Sequence, residues 1–219
     1  MVADMVAPCE KIVDVGTDHA YLPVYLIENK ICKTALACDI NQGPLNNAFE
    51  TIKKYKLENQ ISTRLSDGLN KVQKDEADTV IIAGMGGILI SEIISANWLK
   101  DSGKLLVLQP MTHFYDVRKY LCQGGFEIIN EQTSQEGKRT YFSLSARYDG
   151  DIKKNPEWYY YVGGLIKSEK QSDIDFCKKI TAALTKKYEA LKCLPDSYET
   201  KNLKKILEEI KIEQCKRNL

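Results

Sequence analysis

The stretch Lys11-Ile-Val-Asp-Val-Gly-Thr-Asp-His-Ala-Tyr-Leu-Pro23 runs from a short apolar segment through a turn into the opening of a helical segment. Lys11–Val15 is rich in Ile and Val without strict alternation, the composition of a parallel strand buried on both faces. Gly16 stands where the chain must turn, and a residue without a Cβ lets backbone approach a ligand closely. Pro23 suits a first helical turn, where its missing N–H costs little. Strand, tight turn and helix in that order form the place where doubly wound sheets bind a nucleotide-like ligand. The turn lacks a G-x-G-x-x-G series. Asp18 occupies a position where dinucleotide binders need glycine, and its carboxylate repels a pyrophosphate.

Working outward, Thr34–Ile40, Thr79–Ala83 and Lys104–Gln109 repeat the same apolar texture, and Ile61–Leu65 adds a shorter strand. Between and after them, Leu22–Asn29, Leu45–Tyr55, Ile88–Leu99 and Asp116–Gly124 carry helical spacing. This alternation predicts a doubly wound α/β sheet. Beyond Gly124-Gly125 the texture changes, with Phe126–Thr133 and Thr140–Arg147 reading as an antiparallel pair joined by a turn at Gln135–Lys138. A parallel sheet closed by such a hairpin is typical of class I S-adenosylmethionine (SAM) methyltransferases, whereas dinucleotide dehydrogenases continue parallel. From Asp151 the chain becomes rich in Lys and Glu. Cys177, Ile180, Leu184, Tyr188 and Leu191, then Leu203, Ile206, Leu207 and Ile210, recur at steps of mostly three or four. They predict a helical hairpin in which Pro195 ends the first helix and Asp196 or Ser197 caps the second. The expected domains are residues 1–150 and 151–219.

With 219 residues, 43% hydrophobic and 28% charged, the chain is not disordered. Its longest uncharged apolar run, Thr79–Ile90, falls well short of the ~20 residues that span a bilayer, and no charged-then-apolar leader precedes it. A soluble, unexported, cytoplasmic protein is expected. The seven cysteines are scattered, odd in number and free of any C-x-x-C pair, so reduced thiols and no metal are expected. Only His19 and His113 are available to a triad or metal site. The formal net charge of +1 conceals an asymmetry, since residues 1–150 carry 16 Lys and Arg against 19 Asp and Glu, and residues 151–219 carry 15 against 11. A basic helical tail reads either as a solvated face or as a polyanion contact.

The residues able to carry chemistry fall where the predicted strands end. Asp39 closes the second strand 23 positions after Gly16, near the spacing at which a carboxylate accepts both hydroxyls of a ribose. Asp67-Gly68 follows the third strand and reads either as a contact to an adenine amine or as a plain turn. Gly84-Met85-Gly86-Gly87 follows the fourth, and Gln109-Pro110-Met111 ends the next. No Lys-Ser/Thr follows the glycines, so they do not form a P-loop. Alone, each is a turn or a solvated carboxylate; together on one sheet edge they point to a site, in which Asp18 can face the cationic half of SAM.

Five segments, Asp14–Pro23, Asn41–Pro44, Asp67–Leu69, Ala83–Gly87 and Leu108–Pro110, together resemble the bacterial tRNA (adenine-22 N1)-methyltransferase family, and the resemblance covers essentially the whole chain. It implies a class I Rossmann-like methyltransferase sheet with a C-terminal coiled-coil-like helical hairpin, SAM as methyl donor with S-adenosylhomocysteine as product, and the tRNA D-arm as substrate. Carried over by position, the cofactor pocket falls on Gly16, Asp18, His19, Asp39, Asp67, Gly68, Gly84, Met85, Gly86 and Gly87. Members usually carry a longer basic helix before the segment matching Val6–Lys11, and Met111 stands where an Asn is expected.

Asp18 is the catalytic candidate, because methylated adenine is cationic and a carboxylate near it stabilises the developing charge. At ~4 Å and an effective dielectric near 20 the attraction is of order 4 kcal/mol before desolvation. His19 either orients the base or bonds backbone. A net charge of +1 gives almost no long-range pull on RNA, so local groups are needed: Lys178, Lys179, Lys186 and Lys187 in the tail, with Lys204 and Lys205, and Tyr115, Arg118 and Lys119 near the active edge. The rival readings are a SAM methyltransferase of a small molecule or protein, whose hairpin serves association, and a non-catalytic RNA-binding protein that keeps a nucleotide-like cleft. An NAD oxidoreductase ranks last. A monomer is expected.

Overall fold

The apolar runs become the buried centre of a seven-stranded sheet. The computed structural model describes residues 2–100, 103–137, 139–192 and 197–217. In chain order these form β1 (Lys11–Val15), α1 (Tyr21–Glu28), β2 (Thr34–Asp39), α2 (Gln42–Lys54), β3 (Ile61–Leu65), β4 (Thr79–Gly86), α3 (Gly87–Ile93), β5 (Leu105–Thr112), α4 (Phe114–Gln123), β6 (Phe126–Glu136), β7 (Arg139–Tyr148), α5 (Glu157–Val162), α6 (Gln171–Leu191) and α7 (Tyr198–Arg217). The strand order is β3-β2-β1-β4-β5-β7-β6. The first five run parallel, and β7 returns antiparallel to β5, from Leu105↔Arg147 to Leu108↔Leu144. The order reverses between β1 and β4, which makes the crevice outside their carboxyl ends the topological switch point.

The chain divides into two compact units, one of residues 1–130 and 143–153, the other of residues 131–142 and 154–219. A single cut after Gly150 was expected. The outer halves of β6 and β7, residues 131–142, instead group with the helices of the second unit, where Asp173 binds Thr133. In the first unit Ile12, Val24, Leu26, Ile27, Ala37, Ala48, Ile52 and Ile81 bury one face of the sheet under α1 and α2. At ~25 cal/mol per Å² of apolar surface, each such Leu or Ile contributes about 2 kcal/mol.

Several boundaries differ from the sequence expectation, as β5 and β6 each run three residues further, to Thr112 and Glu136. The helix α2 starts at Gln42 rather than Leu45, since Pro44 is tolerated within a first turn. The helix α3 stops at Ile93, and Asn97–Leu99 forms a separate 3₁₀ turn. β4 continues past Ala83 to Gly86 by way of an irregularity in its ladder with β5. In the second unit α5 and a 3₁₀ turn over Gly163–Lys167 were not anticipated.

The second unit is tied together by one buried carboxylate. Asp173 Oδ1 accepts the Thr133 N–H at 2.9 Å and the Thr133 hydroxyl at 2.5 Å, while Oδ2 accepts the Ser168 hydroxyl at 2.7 Å. Lys170 Nζ donates to the Thr133 carbonyl at 2.6 Å. Phe142 stacks on Phe176 at 5.5 Å, and Leu184, Leu203, Ile206 and Ile210 are buried. Ser197 caps α7, its hydroxyl accepting the Thr200 N–H at 3.1 Å; Leu194, Pro195 and Asp196 lie outside the described residues.

Candidate functional site

Past the exposed Lys11 at its start, β1 is apolar except at Asp14, whose carboxyl is buried at the edge of the crevice. Burial pushes its pKa up to about 6, partly offset by a hydrogen bond from Thr17, with the nearby Asp39 charge adding to the rise. The Thr17 hydroxyl in turn accepts the Ala20 N–H at 3.2 Å. Gly16 and Thr17 both donate their N–H to the Cys38 carbonyl, at 2.8 and 2.9 Å, which stitches the turn to the end of β2. Gly16 has φ +81°, and a Cβ added there would fall 2.0 Å from Met85 Cε. Only glycine fits.

The remaining cofactor candidates converge on the same edge. Asp39 ends β2 and spends Oδ1 on the Asn41 N–H at 2.7 Å. Ser66, just past β3, donates its N–H to the Asp39 carbonyl at 2.9 Å and its hydroxyl to the Gly68 carbonyl at 2.9 Å. Asp67 and Gly68 line a hollow of about 230 Å³ with Leu89, Glu92 and Ile93 of α3. Gly87 opens α3 so tightly against β5 that a Cβ would meet the carbonyls of Thr112 and His113 at 2.6 Å. Asp18 and His19 stand at the mouth, with Asp18 Oδ2 3.3 Å from His19 Nε2, and the Asp18 side chain is 70% exposed. His19 stacks on Tyr21 with ring centroids 5.2 Å apart. Thus Gly16, Asp18, His19, Asp39, Asp67, Gly68, Gly84, Met85, Gly86 and Gly87 all lie at the carboxyl ends of β1 to β4 or directly after them.

The residues proposed for RNA contact fare unevenly. Tyr115 and Lys119 sit on the first turns of α4, after the carboxyl end of β5, with Lys119 Nζ donating to the Tyr115 hydroxyl at 2.8 Å. Arg118 is a correction: it is fully buried, at 0% exposure, because it shares the inward face of α4 with Leu121 and Cys122 three and four positions on, so it offers no surface cation. On α6, Lys178, Lys179, Lys186 and Lys187 are all exposed. Lys187 is engaged with Glu199 of α7 at 2.8 Å, which raises its pKa. Lys178 and Lys186 line a groove of about 530 Å³ with Thr181, Thr185 and Gln214. Lys204 and Lys205 face Glu208 and Glu209 one turn on.

Asp14 was missed as a site residue, although a carboxylate flanked by apolar residues within a strand was a signal for it. Gln109 was noted only as an edge residue, yet its buried side chain reaches Gly84. Among the described residues no group of His, Cys, Asp and Glu is arranged to hold a metal, and no helix is long and apolar enough to cross a membrane. Cys9, Cys32, Cys38, Cys122, Cys177 and Cys215 are free thiols, and burial pushes those of Cys32 and Cys38 up to about 12.

A mixed sheet with its switch point between β1 and β4, a glycine turn after β1 and an acidic residue ending β2 define a Rossmann-like methyltransferase, and residues 1–144 match the methyltransferase domain family model. The chain is 34% identical over 217 residues to the tRNA (adenine(22)-N(1))-methyltransferase of Bacillus subtilis, covering 95% of this chain and 89% of that protein. The crystal structure of the B. subtilis M1A22 tRNA methyltransferase superimposes with a TM-score of 0.82 at 30% identity, covering 97% of this chain and 94% of the other. A Streptococcus pneumoniae relative in complex with S-adenosyl-L-methionine gives 0.80 at 30% identity, covering 94% and 96%. The chain belongs to the tRNA (adenine(22)-N(1))-methyltransferase family.

Proposed function

We infer that this protein transfers a methyl group from SAM to N1 of adenine 22 in the D-arm of tRNA, in the cytoplasm. The end-to-end match to the B. subtilis enzyme carries the reading, and the crevice at the switch point fits the cofactor. Gly16, with φ +81°, makes a turn that side chains rarely adopt and leaves its backbone open to contact. Asp39 retains an oxygen for a ribose diol, and the hollow beside Asp67 and Gly68 has room for a planar base. SAM supplies a methyl group on a cationic sulfur.

The protein's task is then largely positional. Adenine N1 is already unprotonated at neutral pH, but its lone pair must line up behind the methyl group, so the base leaves the stack and presents its Watson–Crick edge. Asp18, at the mouth of the first loop, faces the positive charge that develops on the base. In the open crevice Asp18 is well hydrated, so its attraction is closer to ~1 kcal/mol and rises toward ~4 kcal/mol only as the entering base excludes water. His19 and Tyr21 stack beside it as a wall for the purine.

For the RNA body, we assign phosphate contacts to Lys178 and Lys186, which flank the groove on the helical hairpin, with Lys179 beside them and Lys119 and Tyr115 near the crevice. Lys187 contributes less, being paired with Glu199. The first unit holds the methyl-transfer machinery, and the helices of the second grip RNA. The deciding experiment incubates labelled SAM with total tRNA and with transcripts carrying adenine or guanine at position 22. Label that appears at position 22 only with adenine is expected; label elsewhere, or on protein or small molecules alone, overturns the reading. If about four phosphates are contacted, affinity falls roughly a hundredfold from 50 to 200 mM salt, and a flat response removes the lysines from the interface.

A further inference from the structure

The ladder between β4 and β5 is regular from Thr79↔Leu105 to Ala83↔Gln109, then skips to Met85↔Pro110 and Gly86↔Thr112. Met111 is passed over on β5, and Gly84, with φ +80°, on β4. An unpaired residue of this kind re-aims the one that follows it. That residue is Met85, whose Cε occupies the space a side chain at Gly16 would need. The strand no longer satisfies the Gly84 N–H, and a side chain does: Gln109 Oε1 accepts it at 2.9 Å. Gln109 is buried, and its Nε2 donates to the Pro110 carbonyl at 3.2 Å and to Met111 Sδ at 3.4 Å. One amide therefore clamps the β4 loop to the end of β5.

We propose that Gln109 is a positioning residue for methyl transfer: by holding Gly84, it fixes Met85 and the Gly84–Gly87 loop against the Gly16 turn, so that base and methyl group meet on a rigid wall. The proposal rests on the methyl-transfer reading above. Three of the four residues in the loop are glycines, which sample far more backbone conformations than other residues, so the loop's order must come from outside it. The ribose and adenine candidates, Asp39 and Asp67, lie on other strands, so loss of the clamp disturbs alignment more than cofactor affinity. A misplacement of about 1 Å in such a wall can cost up to a hundredfold in rate.

The test compares Gln109→Leu, Gln109→Glu, Met85→Ala and the Gln109→Leu/Met85→Ala pair. Three readouts apply: turnover on tRNA at saturating SAM, SAM affinity by calorimetry, and amide hydrogen exchange over residues 83–87. Gln109→Leu is expected to lower turnover roughly tenfold or more, to change SAM affinity less than about threefold, and to speed exchange at Gly84. Gln109→Glu keeps the acceptor oxygen for the Gly84 N–H but sets its second oxygen against the Pro110 carbonyl in a buried site. It therefore slows exchange at Gly84 relative to Gln109→Leu without restoring wild-type turnover. Exchange at Gly84 as fast as in Gln109→Leu means that the acceptor oxygen does not hold the loop. The double variant loses no more than the worse single, because both act through one loop. Unchanged exchange in Gln109→Leu overturns the clamp whatever the wild type methylates. Turnover that falls in step with SAM affinity or with folded fraction makes Gln109 merely structural. Absence of methylation at position 22 by the wild type defeats the underlying reading, which the exchange arm keeps separate.

Discussion

The two edges of the first unit's sheet spend their charges in opposite ways. At the amino edge lies the roomier hollow, about 710 Å³, lined by Cys9, Glu10, Lys33, Asp78, Lys104 and Arg147 among others. Its carboxylates close the chain on itself: Asp78 Oδ2 accepts the N–H groups of Glu10 and Lys11 at 3.1 and 2.9 Å, and Glu10 pairs with Lys33 at 2.7 Å. At the carboxyl edge the space is smaller, but Asp14 is buried against its own preference for water and Asp18 is held out at the mouth. Gly16 and Gly84 hold positive φ there, and Gly87 sits where a Cβ would collide with backbone carbonyls. Cavity size is thus the poorer guide to function; charges and backbone held at a cost to stability are the better one.

The sharpest way to break this contrast is pH-dependent stability at Asp14. Its pKa is about 6 when folded against 3.8 for the unreacted group, so the folded state binds the extra proton between those values. Stability is therefore fully present below about pH 3.8 and is lost as pH rises through about 6, by an order-of-magnitude 3 kcal/mol. Asp14→Asn removes the charge, and is expected to be more stable than wild type above pH 7 by up to about that amount, with the gap closing by pH 4. Denaturant midpoints across that range measure it. A variant less stable than wild type at every pH means the ionised carboxylate is stabilised in place, and the contrast fails.

Next in size is Asp18→Asn, which leaves the fold intact and lowers single-turnover rate roughly a hundredfold or more, the scale of an electrostatic contribution to a transition state. Equal rates in the two proteins at saturating tRNA and SAM remove Asp18 from the reaction. Gly16→Ala follows. Its positive φ costs about 1–2 kcal/mol and its Cβ displaces Met85, so SAM affinity by calorimetry is expected to weaken about tenfold. Affinity within twofold of wild type means that the first loop yields and is not a fixed wall.

The edge on which the site sits was legible because parallel strands announce themselves as apolar runs and their carboxyl ends collect Gly and Asp, as at Gly16, Asp39, Asp67-Gly68 and Gly84–Gly87. What escaped was whatever depends on a partner distant in sequence. Arg118 reads as a surface cation until α4 rotates it inward. Gln109 reads as an edge residue until the ladder slips at Gly84. The outer ends of β6 and β7 were assigned with the sheet, though Thr133 is bound to Asp173, 40 positions later. Local composition records which residues a strand carries; it does not record which of them a neighbouring element takes away from solvent.

The smallest effect belongs to the amino edge and has the opposite sign to that at Asp14. Asp78→Ala deletes one carboxylate that holds two backbone N–H groups at the start of β1. Because the site is exposed, water replaces much of what is lost, so the expected cost is about 1 kcal/mol, a fall of roughly 2–4 °C in Tm for a chain of this size. Turnover and SAM affinity should not move, since the crevice lies at the far ends of the same strands and β1 is only loosened at its entry. Thermal unfolding and steady-state kinetics on one preparation separate the two quantities. If turnover falls severalfold while Tm holds, the larger hollow takes part in the reaction and the two edges are not divided as their charges suggest.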